Sequence, residues 1–80
     1  MSALELARRI IANNLQLERE DLQSDTKLVG NFPEFNSLTI AGIIESIEDE
    51  LDCVVDDKEI SSDIFATVGD VANFIEQKSG

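Results

Sequence analysis

In "FPEFNSLTI", residues 32–40, a serine stands where a proline-containing turn gives way to a helical pattern. Serine is a common N-cap, because its side-chain oxygen can accept a hydrogen bond from a first-turn N–H. Asn36 can fill that role equally well. Ser37 would then fall in the first turn, with its hydroxyl in solvent at the positive end of the helix dipole. A phosphoryl group attached there would lie near unpaired backbone N–H groups, a favourable place for negative charge. Other chemistry has little to work with. The chain contains no His, hence no ordinary general base near neutral pH and no Ser–His or Cys–His nucleophile pair. With a single cysteine, Cys53, zinc sites built from His and several Cys are excluded. The four glycines are scattered rather than gathered in a phosphate loop. No EF-hand spacing is present, so no metal site is read. Acid pairs occur, but 80 residues leave little room for a deep catalytic cleft. The chain is not expected to be an enzyme.

Composition sets the frame for these residues. A hydrophobic fraction of 42% is that of a globular chain, and the length fits one small domain over residues 1–80. No apolar run is long enough for a membrane span. The start, "MSALELARRIIANN", lacks the order of an export signal, so a cytoplasmic location is expected. Cys53 alone cannot form an internal disulfide and fits a reducing compartment; within "LDCVVDD" it reads as a structural thiol. The formal net charge is −11, from 17 acidic and 6 basic residues. Such a surface repels nucleic acid and anionic membranes and attracts basic partner surfaces.

Helical periodicity dominates the elements that must position Ser37. Leu4, Leu6, Ala7, Ile10 and Ile11 recur at spacings of three and four, and Ser2 with Glu5 forms a capping-box pattern, predicting a first helix over 3–14. A long connection over 15–36 carries Leu15, Leu17, Leu22, Leu28 and Phe32, which predicts a loop pinned to a core. A second helix is predicted over 37–51, following the Pro33 turn, a short third over 57–64 and a fourth over 68–78, opened by Thr67 and Asp70. "CVV" at 53–55 is too short to pair as a strand. The fold class is all-α: a small four-helix bundle of three longer helices and one short one, with a long loop between the first two.

On a helical wheel of the second helix, at about 100° per residue, Ile40, Ile43, Ile44, Ile47 and Leu51 share one sector, the core face. Glu45, Asp49 and Asp52 lie opposite, with Glu48 beside them, and Leu38 falls on the same acidic side. A hydroxyl at a helix N-terminus, an exposed leucine next to it and a negative ridge below make a docking surface. Leu38 is the apolar anchor; Glu45, Glu48 and Asp49 provide steering and register. A groove between the second and third helices, lined by Ile43, Ile47, Ile60 and Ile64, is expected to be able to hold an apolar tail, although any one of these isoleucines also suits ordinary core packing.

The acidic domain, the long first loop, "NSL" at the head of the second helix, the "IEDELD" run ending it, and "FATVGDVANFI" leading into the last helix together resemble the acyl carrier protein family over nearly the whole chain. The stretches "PEFNSLTI" and "DIFATVG" are similar to specialised bacterial carriers, such as those of exosortase-associated surface-glycan clusters. The resemblance implies a four-helix bundle whose second helix opens with Asp-Ser-Leu. It also implies that the serine carries a 4′-phosphopantetheine arm, added from coenzyme A by a separate phosphopantetheinyl transferase. Carried over, Ser37 is the attachment residue, Leu38 its contact neighbour, and Glu45, Glu48 and Asp49 lie on the helix that partners recognise. The implied cargo is an acyl group held as a thioester in fatty acid or lipid biosynthesis. The implied partners are acyl-transferring, ligating or synthase enzymes with basic docking surfaces, served by a monomer. The chain departs from the pattern at Asn36, where the family usually has Asp, and at Thr39 and Gly42, positions often acidic in fatty-acid carriers. Two alternatives stay open: an aminoacyl- or peptidyl-type carrier, and an acidic helical interaction module that is never modified.

Overall fold

The computed structural model describes residues 2–28 and 35–79. The expected contributions of Phe32 and of the Pro33 turn lie outside the described residues. The first helix, α1, spans Ala3–Leu15. Ser2 Oγ accepts from Glu5 N at 3.1 Å, one of the two bonds of the expected capping box; the Glu5 carboxylate instead pairs with Arg8 at 2.6 Å. The helix ends at Gln16, whose backbone is left-handed with φ 58°. There the Gln16 and Leu17 amides both turn back to the Ala12 carbonyl, satisfying an end that would otherwise be orphaned.

The connection that follows is pinned down. Leu22 and Leu28 are fully buried. Arg8 reaches out of α1 to hold it, donating from Nε to Leu22 O and from Nη2 to Arg19 O, both at 2.9 Å. A single 3-10 turn, Arg19–Asp21, interrupts it. Further on, Lys27 and Thr67 form an isolated antiparallel bridge. Leu28 N donates to Ala66 O and Val68 N to Thr26 O, each at 3.0 Å, and Gly69 N donates to Ser24 O at 2.7 Å. Gly69 permits this approach: a Cβ there would stand 2.9 Å from Ser24 O.

The second helix, α2, spans Ser37–Leu51, and the last, α3, spans Val68–Ser79. Thr67 opens α3, its Oγ1 accepting from Asp70 N at 3.2 Å and donating to Asp70 Oδ2 at 3.0 Å. The expected short helix over 57–64 is instead two 3-10 turns, Asp57–Glu59 and Ser62–Phe65. The intervening Ile60 and Ser61 give no continuous apolar stripe, and serine competes with helical hydrogen bonding. Packing is centred on α1, which lies against α3 and, less extensively, α2. The core gathers Ile10 and Ile11 of α1, Ile43 and Ile47 of α2, Phe65, and Val68, Val71 and Ile75 of α3. Phe35, just before α2, meets Phe65 with ring centroids 5.8 Å apart, tying the head of α2 to the core. The structure is all-helical, and among the described residues no helix is long and apolar enough to cross a membrane.

Candidate functional site at the head of the second helix

Asn36 is the N-cap of α2. Its backbone is extended, and Oδ1 accepts from Leu38 N at 3.0 Å and from Thr39 N at 3.2 Å. Two of the orphan donors of the first turn are thereby used. Ser37 is the first helical residue. Its side chain is exposed and its hydroxyl makes no hydrogen bond with a described residue. The division of labour is physical: the amide caps, so chemistry at the hydroxyl leaves the helix end intact. It also narrows the expectation about unpaired amides. Of the first three amides of α2, only that of Ser37 itself remains to meet an anion, and the first turn carries no acid to oppose one.

Ser37 heads a groove of about 660 Å³ lined by Ile40, Ala41, Ile44, Glu45 and Glu48 of α2, with Ile60 on the facing wall. On the wheel this is the sector between the core face and the acidic face. That placement corrects the expected lining. Ile43 and Ile47 are fully buried in the core, and Ile64 is half-buried against it; only Ile60 of the four lines the groove. The groove opens along the edge of the apolar sector because its centre is already filled by packing.

No family model matches the chain. The solution NMR structure of a holo acyl carrier protein from Nitrosomonas europaea superposes with a TM-score of 0.84 at 38% identity, covering 98% of this chain and 96% of that one. The chain belongs to the acyl carrier protein family. Acyl carrier proteins are carriers rather than enzymes, and the chain is a carrier on that membership.

Along the outer face of this acyl carrier protein, Leu38 is 83% exposed, and Glu45, Asp49 and Asp52 are exposed with it. None of these three carboxylates is paired with a described cation; Glu50, by contrast, binds Arg9 of α1 at 2.7 Å. Glu48 sits differently from its neighbours. It is half-buried, and its Oε2 accepts from Val55 N at 2.8 Å, so its carboxylate fastens the chain leaving α2 as well as lining the groove. Cys53 is half-buried in that segment. Val54, which no periodicity singled out, is 80% exposed. Ile40, Ala41 and Ile44 were also not expected in the groove; their position beside Ser37 on the wheel is the only signal that could have found them.

Proposed function

We propose that this protein carries acyl groups on a 4′-phosphopantetheine arm joined to Ser37, and presents them to enzymes that dock on α2. When bound, the arm supplies a terminal thiol that holds the cargo as a thioester. The carrying observation is an exposed Ser37 hydroxyl, relieved of capping by Asn36, at the mouth of an apolar groove. A holo relative at 38% identity supports the same reading. Ser37 Oγ forms the phosphodiester, and its own amide is placed to meet the phosphate charge. Ile40, Ala41, Ile44 and Ile60 offer the arm or a short apolar cargo a surface that excludes water. Leu38, Glu45 and Asp49 face the visiting enzyme, with Glu48 at the groove edge; the partners are a phosphopantetheinyl transferase and acyl-handling enzymes with basic docking surfaces. Tethering raises the effective concentration of cargo at a docked active site without any catalytic group on the carrier. A cytoplasmic setting, where coenzyme A and such enzymes act together, completes the reading.

The test is intact mass after incubation with coenzyme A and a broad-specificity phosphopantetheinyl transferase. The wild type gains the mass of the arm and Ser37→Ala does not. An unmodified wild type would instead favour an acidic interaction module, the reading supported by the absence of a carboxylate at Asn36 and throughout the first turn.

A further inference from the structure

The groove below Ser37 has two kinds of wall. Ile40 and Ile44 of α2, with Ile60 opposite them, are aliphatic, while Glu45 and Glu48 bring two carboxylates to the same cavity. No Lys or Arg lines it among the described residues. Neither glutamate forms an ion pair with a described cation. Charges placed here differ from charges on an open face, because whatever fills the groove strips water from them.

Glu48 is fixed in that position. Its Oε2 accepts from Val55 N at 2.8 Å, and Val55 is itself buried, so the bond holds the half-buried carboxylate at the groove edge. Its Oε1 has no hydrogen-bond or ion-pair partner among the described residues. Glu45 stands three residues earlier, which makes the two side chains neighbours, with Cβ atoms about 5–6 Å apart. By helix rise Glu45 lies about 12 Å along the axis from Ser37 and Glu48 about 16 Å, and helical side chains lean back toward the N-terminus. The acids therefore mark the far end of the groove, and Ile40 and Ile44 line the way to it.

We propose that the groove's occupant is an acyl cargo bearing a primary amine, with its methylenes on the isoleucines and its ammonium between Glu45 and Glu48. Charge complementarity selects among cargo ends. A wholly apolar tail would desolvate Glu48 Oε1 and return no hydrogen bond. A carboxylate-ended tail would add a third negative charge beside two. An ammonium is compact and has three donors, so it can bridge both glutamates with charge-assisted hydrogen bonds. Glu48 cannot evade an unsuitable end by turning away without releasing Val55 N, and rejection is thereby built in alongside attraction. That the occupant is a thioester-bound cargo rests on the carrier reading; the preference of the groove for an ammonium end does not.

The test tethers probes at the head of the groove without relying on enzymatic modification. Ser37→Cys/Cys53→Ser protein is equilibrated with aminooctanethiol, nonanethiol or mercaptooctanoate against excess β-mercaptoethanol, and the mixed disulfides are measured by intact mass. The amine-ended thiol is favoured over its neutral isostere about fivefold, and the carboxylate-ended thiol is the least favoured. Adding Glu45→Gln/Glu48→Gln, which keeps an acceptor for Val55 N, brings amine and neutral ends near parity. Adding Glu18→Gln/Glu20→Gln instead removes the same charge away from the groove and leaves the preference in place. Parity among the three ends in the parent protein overturns the proposal, as does a preference that the two double variants erase equally, since the net charge of the molecule would then account for it. The carrier reading is judged separately, by the mass gained from coenzyme A. An unmodified wild type defeats that reading and leaves an amine-selective groove standing, whereas a modified wild type with no amine preference does the reverse.

Discussion

Asn36 separates two jobs that a serine at a helix start would otherwise have to combine. Its Oδ1 holds the Leu38 and Thr39 amides, so truncation to alanine should remove about 1 kcal/mol of stability, measured by urea denaturation, while Ser37 stays accessible. Asn36→Asp keeps the acceptor and adds negative charge at a helix N-terminus, which should stabilise by about 0.3–1 kcal/mol at low salt. The same change restores the carboxylate that the family usually has there. A fatty-acid-synthase transferase of narrow specificity should therefore load the wild type poorly and Asn36→Asp well, and a broad-specificity enzyme should load both. Equal initial rates for the two proteins with both enzymes would remove the reason for assigning partner choice to this side chain.

At the scale of elements, Gly42 shows how a poor helix former can be retained by packing. Glycine in a helix costs about 1 kcal/mol relative to alanine, but a Cβ at Gly42 would collide with Asn14 Oδ1 of α1. Asn14 cannot yield freely, because its Nδ2 donates to Ile10 O at 2.8 Å. Gly42→Ala alone should be close to neutral, propensity offset by a displaced hydrogen bond, whereas in an Asn14→Ala background it should stabilise by about 1 kcal/mol. Additive effects in that cycle would mean the two side chains do not meet. A second fastening joins the turn Asp57–Glu59 to α3. The Glu59 carboxyl is held below its ordinary range chiefly by the Asp56 N–H and then by Lys78. A lowered carboxyl adds stability that is present above its unfolded value, about 4.3, and is lost as pH falls through the lower folded value. The melting-temperature gap between wild type and Glu59→Gln should therefore narrow on acidification below about pH 4. These local details also show what could be read in advance. The expected second helix matches α2 residue for residue, because capping at Asn36 and the isoleucine spacing are local signals; the buried stripe of α3 followed likewise. The groove wall was not legible, since the rotation that puts Ile40 and Ile44 rather than Ile43 and Ile47 beside Ile60 depends on what else fills the core. Val54 had no periodic neighbours, and its exposure accompanies the bond from Val55 N to the Glu48 carboxylate, which no sequence pattern announces.

Over the whole molecule the charge is polarised rather than merely large. Of the six basic residues, Arg8, Arg9 and Lys78 are engaged in ion pairs away from the outer stripe of α2. The segment from 37 to 57 is left with acids alone. Like charges along one face destabilise the isolated fold and favour encounter with a basic partner, so stability and recognition pull in opposite directions. Screening acts on both. The Debye length falls to about 10 Å at 0.1 M salt, shorter than the stripe. Added sodium chloride should therefore raise the melting temperature of the isolated protein while slowing its association with a transferase. In Glu45→Gln/Asp49→Asn the melting temperature should start higher and respond less to salt, and association should be slower at low salt and less steeply salt-dependent. The two measurements on one pair of proteins decide the matter together. If salt lowers the melting temperature of the wild type, the ion pairs of Arg8, Arg9 and Lys78 outweigh the repulsion, and the acidic face does not strain the fold that carries it.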